Sequence, residues 1–405
     1  MTLITSTHFA SVAASGTDWR DTSKKLLEQL ETIRTDADGF NLGFLYVTDI
    51  LASDLASILT LFKSVTGIKH WVGAVGMGVA TTGMSFIDQP AISAMIGRFD
   101  PENIKSFHTT SSAENPLPQD VYPWVKAHTP LLTLVHGDPT SHAHPEWALA
   151  HLGQSLSSFV AGGLTSSRTE HIYIAGDIQT EGFGGVMFDQ EIAVSCALSQ
   201  GCKPLGRQHI ITRCDDHIIL EIEGRKPSDV FTETLQRMIK DKTGQDPNTP
   251  ISHKSIPPEF QALFRGDVHV AFPVTGSDTG DFLVRNIVGI DPDDGYMAVN
   301  HRMKQGDSMM FVHRDDQTVT ADLSHTLVGL RKRVQAETGQ FSPKGAIYIS
   351  CVARALTEFS PGIRGGEMAL VREIIGDIPL AGFYAGGEIS AGRLYGYTGV
   401  LILFL

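Results

Sequence analysis

Two segments near the C-terminus carry the side chains best suited to hold a small ligand. Cys351 follows the apolar run GAIYIS, and Arg354 comes three residues later. Glu388 follows Gly387 at the end of a second apolar run, PLAGFYAG, which also contains Tyr384. Proteins of the α/β class place ligand-binding groups at the C-terminal ends of parallel strands. The pattern therefore predicts a thiol, a guanidinium and a carboxylate in one pocket, with glycines that let a ligand approach the backbone.

These two apolar runs should lie side by side in one sheet. A single helical stretch, EMALVREII, joins them, and a strand–helix–strand unit usually joins parallel strands. Their C-terminal ends then meet at the same edge, which brings Arg354 near Glu388. Such a pair would recognise the two ends of an amino-acid-like ligand. Two structural interpretations stay open: Cys351 as a small buried hydrophobe, and an Arg354–Glu388 salt bridge that binds nothing.

A group of histidines suggests a second kind of chemistry. Four of them lie within sixteen residues of the segment HGDPTSHAHPEWALAH, namely His136, His142, His144 and His151. In an extended segment His142 and His144 would point the same way, as candidate ligands of a metal or of haem. No carboxylate or cysteine completes a ligand set at metal spacing, which favours a solvated loop before a helix. The four cysteines form no CxxC pair, so a structural zinc site is not expected.

Other short sequences resemble known functional motifs but lack the neighbouring elements or residues that those motifs require. GAVGMG has the spacing GxxGxG and precedes no helix, so it does not predict a dinucleotide site. His313, Arg314 and Asp315 spell the start of a kinase catalytic loop, but the downstream asparagine and the DFG motif are absent. No Ser/His/Asp or Cys/His arrangement has a recognisable context. These absences favour a binding protein over an enzyme.

Composition narrows the function classes. The 405 residues include 32 Lys and Arg against 45 Asp and Glu, a formal net charge of −13. An acidic chain without a basic run has no electrostatic footprint for nucleic acid or for anionic membranes. The N-terminus shows no basic region followed by an apolar block, and no apolar segment is long enough to span a bilayer. We therefore expect a cytoplasmic protein that binds neither nucleic acid nor membrane.

The arrangement of strands and glycines predicts a repeated fold. Strand, helix, strand, glycine-rich turn and strand recur from Leu42, from Leu131 and from Gly345. We infer the α/β class with mixed α+β sheets, made of repeated strand–helix–strand–strand units in two tightly associated halves. The added strands should pair antiparallel through hairpins. The alternative is that these units recur without being homologous to one another, since such units are common in α/β proteins.

Several long segments are similar to the FIST family. They are SQGCKPLGRQHIIT, LEIEG, DFLVRNIVGIDPDDGYMAVN, FVHRDD, CVAR, PLAGFYAGGEI and GYTGVLILF. This resemblance implies a FIST-N-like domain over residues 1–215 and a FIST-C-like domain over residues 216–405. It also implies an intracellular sensory domain for small ligands, with amino acids among the proposed ones. One branch of the family binds haem and senses nitric oxide.

The leading hypothesis is a cytoplasmic sensory protein that binds a small ligand and signals through a separate protein partner. The expected ligand-binding residues are Cys351, Arg354, Tyr384, Gly387 and Glu388, with Arg314 and Asp315 as a second group. The first alternative is a haem-binding nitric oxide sensor, with His142 and His144 as candidate ligands. The second alternative is a thiol-dependent enzyme that uses Cys351, which requires a nearby base and a thiolate at neutral pH.

Overall fold

Contacts divide the chain into two compact units. The computed structural model describes residues 3–33, 39–109, 117–141, 145–243, 268–274, 280–355 and 366–405. The first unit combines Met1–Ser199 with Thr320–Leu405, and the second is Gln200–Val319. The division at 215/216 concerns sequence domains and stays a prediction.

The described residues form a mixed α+β structure with helices in both units. The helices are α1 (Trp19–Ile33), α2 (Leu55–Thr66), α3 (Tyr122–Ala127), α4 (Pro145–Leu156), α5 (Pro227–Thr243), α6 (Asp316–Thr338), α7 (Val352–Ala355) and α8 (Gly366–Ile375). None of them combines the length and the apolar character needed to cross a membrane.

Strands make up the larger part of both units. In the first unit they are β1 (Ile4–Thr5), β2 (Phe9–Ser15), β3 (Leu42–Thr48), β4 (His70–Gly76), β5 (Gly78–Thr81), β6 (Met84–Ile87), β7 (Ala91–Gly97), β8 (Ile104–His108), β9 (Pro130–Gly137), β10 (Phe159–Leu164), β11 (Tyr173–Ala175), β12 (Asp177–Gln179), β13 (Phe183–Asp189) and β14 (Val194–Ser199). The second unit contributes β15 (Lys203–Asp215), β16 (Ile218–Ile222), β17 (Val268–Pro273), β18 (Phe282–Arg285), β19 (Ile287–Ile290), β20 (Met297–Val299) and β21 (Ser308–His313). The first unit resumes with β22 (Gly345–Cys351), β23 (Leu380–Ala385), β24 (Gly387–Ser390), β25 (Arg393–Tyr395) and β26 (Gly399–Phe404).

Three equivalent sheets in the first unit confirm the repeated strand–helix–strand pattern. Each contains a parallel pair joined by a helix: β3 with β4, β9 with β10, and β22 with β23. The first strand of each pair also pairs antiparallel with a later strand of the same repeat: β7, β13 or β26. The strand orders are β1-β2-β7-β3-β4-β11-β12, β25-β24-β10-β9-β13-β8 and β14-β26-β22-β23-β5-β6. Sequence periodicity therefore identified the repeating element correctly.

The repeats exchange hairpins in a cycle. The β5–β6 hairpin of the first repeat pairs with β23 of the third, and the β24–β25 hairpin of the third pairs with β10 of the second. The β11–β12 hairpin of the second repeat pairs with β4 of the first. These hairpins are antiparallel, as predicted. Their exchange between repeats was not predicted. Each sheet is consequently completed by a neighbouring repeat.

The second strand of each repeat contains a glycine that no other residue can replace without a shift of the backbone. These glycines are Gly73, Gly162 and Gly382. A Cβ atom added to any of them would lie 1.8 Å from a carbonyl oxygen of the first strand. Those oxygens belong to the glycines' strand partners, Leu45, Val135 and Tyr348. The shared glycine is thus a sequence mark of the repeat, explained by close backbone approach.

The core of the first unit joins residues from all three sheets. Tyr46 stacks on Phe383 with ring centroids 5.1 Å apart, and the His136 Nε2 atom lies 3.2 Å from the Tyr46 hydroxyl. The C-terminal strand β26 lies between β14 and β22 and is buried along its whole length. Its near-continuous apolar sequence is typical of a strand that is buried on both faces.

The second unit is a sheet with the order β18-β17-β21-β15-β16-β20-β19. All its described pairs are antiparallel. β15 and β16 form a hairpin around Asp215 and Asp216, and β19 and β20 form a hairpin around Asp291–Gly295. Helix α5 packs its apolar residues, including Leu235 and Ile239, into the core of this sheet.

Candidate functional site

The predicted edge exists in the first unit. Strands β22 and β23 are parallel, and Cys351 is opposite Ala385 at their C-terminal ends. Arg354 follows in the short helix α7, and Glu388 lies in β24 after the turn at Gly386. The strand topology therefore brings together side chains that are more than thirty residues apart in the sequence.

Arg354 is completely buried and is held by groups from two parts of the unit. Its Nε atom lies 2.8 Å from Oε1 of Glu367, and its Nη1 atom donates to the carbonyl and the hydroxyl of Ser199, each at 3.2 Å. Burial disfavours the positive charge, but the nearby acidic groups, of which Glu367 contributes most, together outweigh this and raise the pKa of Arg354 above its ordinary value. The guanidinium consequently stays charged inside the protein.

Glu367, which sequence reasoning missed, is the ion-pair partner of Arg354. It lies in the first turn of α8 and accepts hydrogen bonds from the Tyr348 hydroxyl at 2.7 Å and the Ser350 hydroxyl at 2.8 Å. The alternation of Tyr348 and Ser350, which puts two hydroxyls on one face of β22, was the available signal. The predicted structural alternative, an Arg354–Glu388 salt bridge, is therefore wrong, because Arg354 pairs with Glu367 and not with Glu388.

Glu388 is completely buried without an ion pair among the described residues. Its Oε2 atom accepts hydrogen bonds from the backbone N–H of Thr398 at 3.0 Å and from the Thr398 hydroxyl at 2.8 Å. Burial raises the pKa of Glu388 to about 8, although the Thr398 hydrogen bonds and the Arg354 charge oppose the shift. At neutral pH this side chain is mostly a neutral carboxylic acid.

Apart from Nε of Arg354, which contacts Glu367 at 2.8 Å, two buried side-chain atoms of this region make no hydrogen bond to any described residue. They are Nη2 of Arg354 and Oε1 of Glu388, and both are buried. A buried polar group without a partner costs about 1–3 kcal/mol. We call Cys351, Arg354, Glu367 and Glu388, with the hydroxyl groups that hold them, the buried polar cluster.

The Cys351 thiol lies within this cluster and is buried. Burial raises its pKa well above the ordinary value, and the nearby Glu388 side chain raises it further. The thiol is therefore protonated at neutral pH. Thiol catalysis requires the opposite, a lowered pKa and a reactive thiolate.

Tyr384 and Gly387 flank the cluster on the neighbouring strands. Tyr384 is buried, and its backbone carbonyl accepts a hydrogen bond from the Ser166 hydroxyl at 2.5 Å. Burial and the charge of Glu367 raise the pKa of its phenol above the ordinary range. Gly387 pairs with Leu164 of β10, and a Cβ atom there would lie 2.9 Å from Leu394. The glycine thus makes room for a leucine side chain.

The second predicted group lies in the second compact unit. Asp315 precedes α6 and accepts a hydrogen bond from the Thr318 backbone N–H at 2.7 Å, as an N-cap does. Its Oδ2 atom is 3.4 Å from Nδ1 of His313. Arg314 lies between these residues, in the segment that joins β21 to α6. Nothing in this arrangement resembles a kinase catalytic loop.

The histidine group offers no described haem or metal site. His142 and His144 lie outside the described residues. His136 is enclosed in the core against Tyr46, and burial lowers its pKa to about 3. The ring of His151 packs on Trp147. Within the described part of the chain, no three His, Cys, Asp or Glu side chains are placed to hold a metal ion. The haem alternative therefore stays a prediction, because its candidate ligands His142 and His144 are not among the described residues.

The three sheets, each completed by a neighbouring repeat, define an α/β protein with internal threefold repetition. Models of the FIST N domain and the FIST C domain match residues 41–225 and 236–391. The chain belongs to the FIST family, whose domains are sensory domains. The resemblance noted in the sequence is thereby confirmed.

Two mycobacterial proteins illustrate the similarity. The chain is 31% identical to the uncharacterized protein Mb0898c of Mycobacterium bovis over 254 residues, which are 62% of this chain and 60% of that protein. It is 29% identical to the uncharacterized protein Rv0628c of Mycobacterium tuberculosis over 266 residues, 64% of each chain. The matched segments cover less than two thirds of these relatives.

Proposed function

We propose that the protein senses a small, amino-acid-like ligand through the buried polar cluster and signals through a separate protein partner. The observation that carries the proposal is the pair of buried atoms without a described hydrogen-bond partner, Arg354 Nη2 and Glu388 Oε1. They belong to a cation and a carboxyl group that influence each other's pKa. A ligand that supplied the missing partners would offset the cost of burying them.

The chemistry of the cluster restricts which functional groups the ligand can carry. Arg354 is charged and keeps an unused N–H edge, which matches a carboxylate group of the ligand. Glu388 is protonated near neutral pH, so it can donate a hydrogen bond to a neutral acceptor. A ligand ammonium group would instead favour the ionised form of Glu388 and lower its pKa. Binding of an amino acid should therefore release a proton from the protein.

A thermal-shift screen of the common amino acids and small organic acids tests this proposal. We expect at least one amino acid to raise the melting temperature, and we expect Glu388→Gln to reduce that increase. Glu373→Gln provides the matched control, because Glu373 is exposed on α8. If Glu388→Gln changed the melting temperature but left ligand affinity intact, the assignment of the site would be wrong.

The remaining candidate residues have defined places in this proposal. Cys351 and Tyr384 would form the wall beside the cluster, and Gly387 would fix the strand that carries Glu388. Conservative changes at the wall should alter the choice among amino acids more than the stability of the fold. The haem alternative receives no support from the described residues. Hemin is the additional compound of the screen, and a Soret band at equimolar hemin would revive that alternative.

A further inference from the structure

The second compact unit contains a cleft that the proposed function does not use. It has a volume of about 460 Å³ and is lined by residues of β15, α5, β21 and the start of α6. Small-molecule sites typically have volumes of roughly 300–1,000 Å³. The cleft is therefore large enough for a compact organic ligand.

The lining of this cleft has an apolar part and a cationic part. Leu205 and Met238 are among its apolar residues. Lys203, Arg207 and Arg237 also line it, and Asp315 is the single carboxylate among the described lining residues. Three cations against one carboxylate give a local positive excess in a chain whose formal charge is −13. Such a local reversal of sign favours an anionic ligand.

The charged side chains of the cleft are not all equally available to a ligand. Asp315 is occupied as the N-cap of α6, and Arg207 forms two hydrogen bonds to Glu223 at 2.7 and 2.5 Å. Lys203 makes no ion pair within the described part of the chain. Arg237 is 3.4 Å from Glu233, but its side chain is 63% exposed, so that pair is weak. Lys203 and Arg237 are thus the cations that a ligand can engage.

Two further features of the lining favour an anion. His209 is 7% exposed, and its Nδ1 atom is buried without a hydrogen bond to any described residue. Oε2 of Glu223 lies 3.5 Å from this atom. Thr318 and Gln317, in the first turn of the 23-residue helix α6, also line the cleft. The N-terminus of a helix carries a partial positive charge.

We propose that this cleft binds a small organic anion, a carboxylate or a phosphate ester carried on an apolar body. Lys203 and Arg237 contact the oxyanion, and Leu205 and Met238 pack against the apolar body. This site lies within the second unit and is separate from the buried polar cluster. Its test therefore does not depend on the ligand proposed for that cluster.

Isothermal titration of the full chain with phenyl phosphate and with benzoate tests the proposal. Benzyl alcohol, which has the apolar body without the charge, should bind at least about tenfold more weakly than the better anion. Inorganic phosphate, which lacks the apolar body, should also bind more weakly than phenyl phosphate. Tighter binding of phenyl phosphate or of benzoate identifies the oxyanion that the cleft prefers.

Variants that remove one positive charge test whether the anion binds in this cleft. Lys203→Gln and Arg237→Gln should each weaken the better anion by about tenfold. Lys304→Gln is the matched control, since Lys304 is an exposed cation of the same unit that does not line the cleft. No measurable binding of either anion would overturn the proposal. Equal weakening by Lys304→Gln, or equal affinity for benzyl alcohol, would also overturn it.

Discussion

The buried polar cluster of the first unit and the cleft of the second unit differ in how far their ionisable side chains are exposed to solvent. Arg354 and Glu388 are completely excluded from solvent, whereas the side chains of Arg207 and Arg237 are 62% and 63% exposed. In the cluster, the charge of Arg354 is paired with Glu367, whereas burial keeps Glu388 mostly neutral by raising its pKa. In the cleft, water screens the charges, which then add little to stability but are accessible to a ligand. Substitutions should therefore affect stability mainly in the cluster.

The largest effect is expected where the backbone sets the geometry of the cluster. Gly382→Ala would place a Cβ atom 1.8 Å from the carbonyl oxygen of Tyr348, the residue whose hydroxyl holds Glu367. We expect a loss of more than about 4 kcal/mol in the free energy of unfolding, or failure to fold. Gly329→Ala is the control, because its Cβ atom would meet no neighbour and should stabilise α6 by about 0.5–1 kcal/mol. Similar melting temperatures for both variants would contradict the backbone account.

The next effect concerns the buried ion pair. Arg354→Met would leave the carboxylate of Glu367 buried with only the hydroxyls of Tyr348 and Ser350 as partners. We expect a destabilisation of about 3–5 kcal/mol in urea unfolding. The exposed Arg372, which pairs with Asp377, gives the matched variant Arg372→Met, with an expected cost below about 1 kcal/mol. Equal costs for the two variants would show that burial does not separate the two kinds of charge.

A pH-dependent effect should follow from Glu388. Its pKa is about 8 in the folded protein against an ordinary value of 4.5, so the folded state binds the proton more tightly. The stability that this group contributes is fully present below pH 4.5, decreases between pH 4.5 and 8, and is lost above pH 8. Glu388→Gln cannot titrate, so above pH 8 it should be more stable than the wild type by up to about 5 kcal/mol.

Melting curves from pH 5 to pH 9 measure this difference. The exposed variant Glu373→Gln should follow the wild-type profile throughout. If the profile of Glu388→Gln also ran parallel to that of the wild type, the carboxyl group would titrate normally. Glu388 would then not be desolvated in solution.

The smallest effect is expected at the start of α6, beside the cleft. Asp315→Ala would remove the acceptor of the Thr318 N–H and should cost about 1 kcal/mol. Asp315→Asn keeps an oxygen acceptor and should cost clearly less. Urea unfolding of both variants measures the difference. A cost above about 3 kcal/mol for Asp315→Ala would place this region among the sites with buried charges.

The sequence was informative about local structure and about the edge of one sheet. Period-two apolar runs and a connecting helix were sufficient to predict that β22 and β23 are parallel, and hence that Cys351 comes close to Glu388. Glu388 itself lies in β24, which belongs to the neighbouring sheet. Such signals lie within some forty residues of the chain. The near-continuous apolar run of β26 is likewise sufficient to indicate burial on both faces.

Two features could not be predicted because they depend on distant parts of the chain. The β5–β6 hairpin pairs with β23, about three hundred residues later, and no local pattern specifies that partner. The choice of Glu367 over Glu388 as the partner of Arg354 depends on how α8 packs against β22. Sequence patterns show which residues can form an ion pair, but the packing of elements decides which residues do.

The most direct test of the central claim measures proton release when an amino acid binds. The amino acid with the largest thermal shift is titrated calorimetrically into the wild type and into Glu388→Gln at pH 7, in two buffers with different heats of ionisation. We predict that the wild type releases up to one proton per ligand, because the ligand ammonium lowers the pKa of Glu388. Glu388→Gln should bind more weakly and release none. Identical affinity and identical proton release in the two proteins would contradict the assignment of the buried polar cluster as the ligand site.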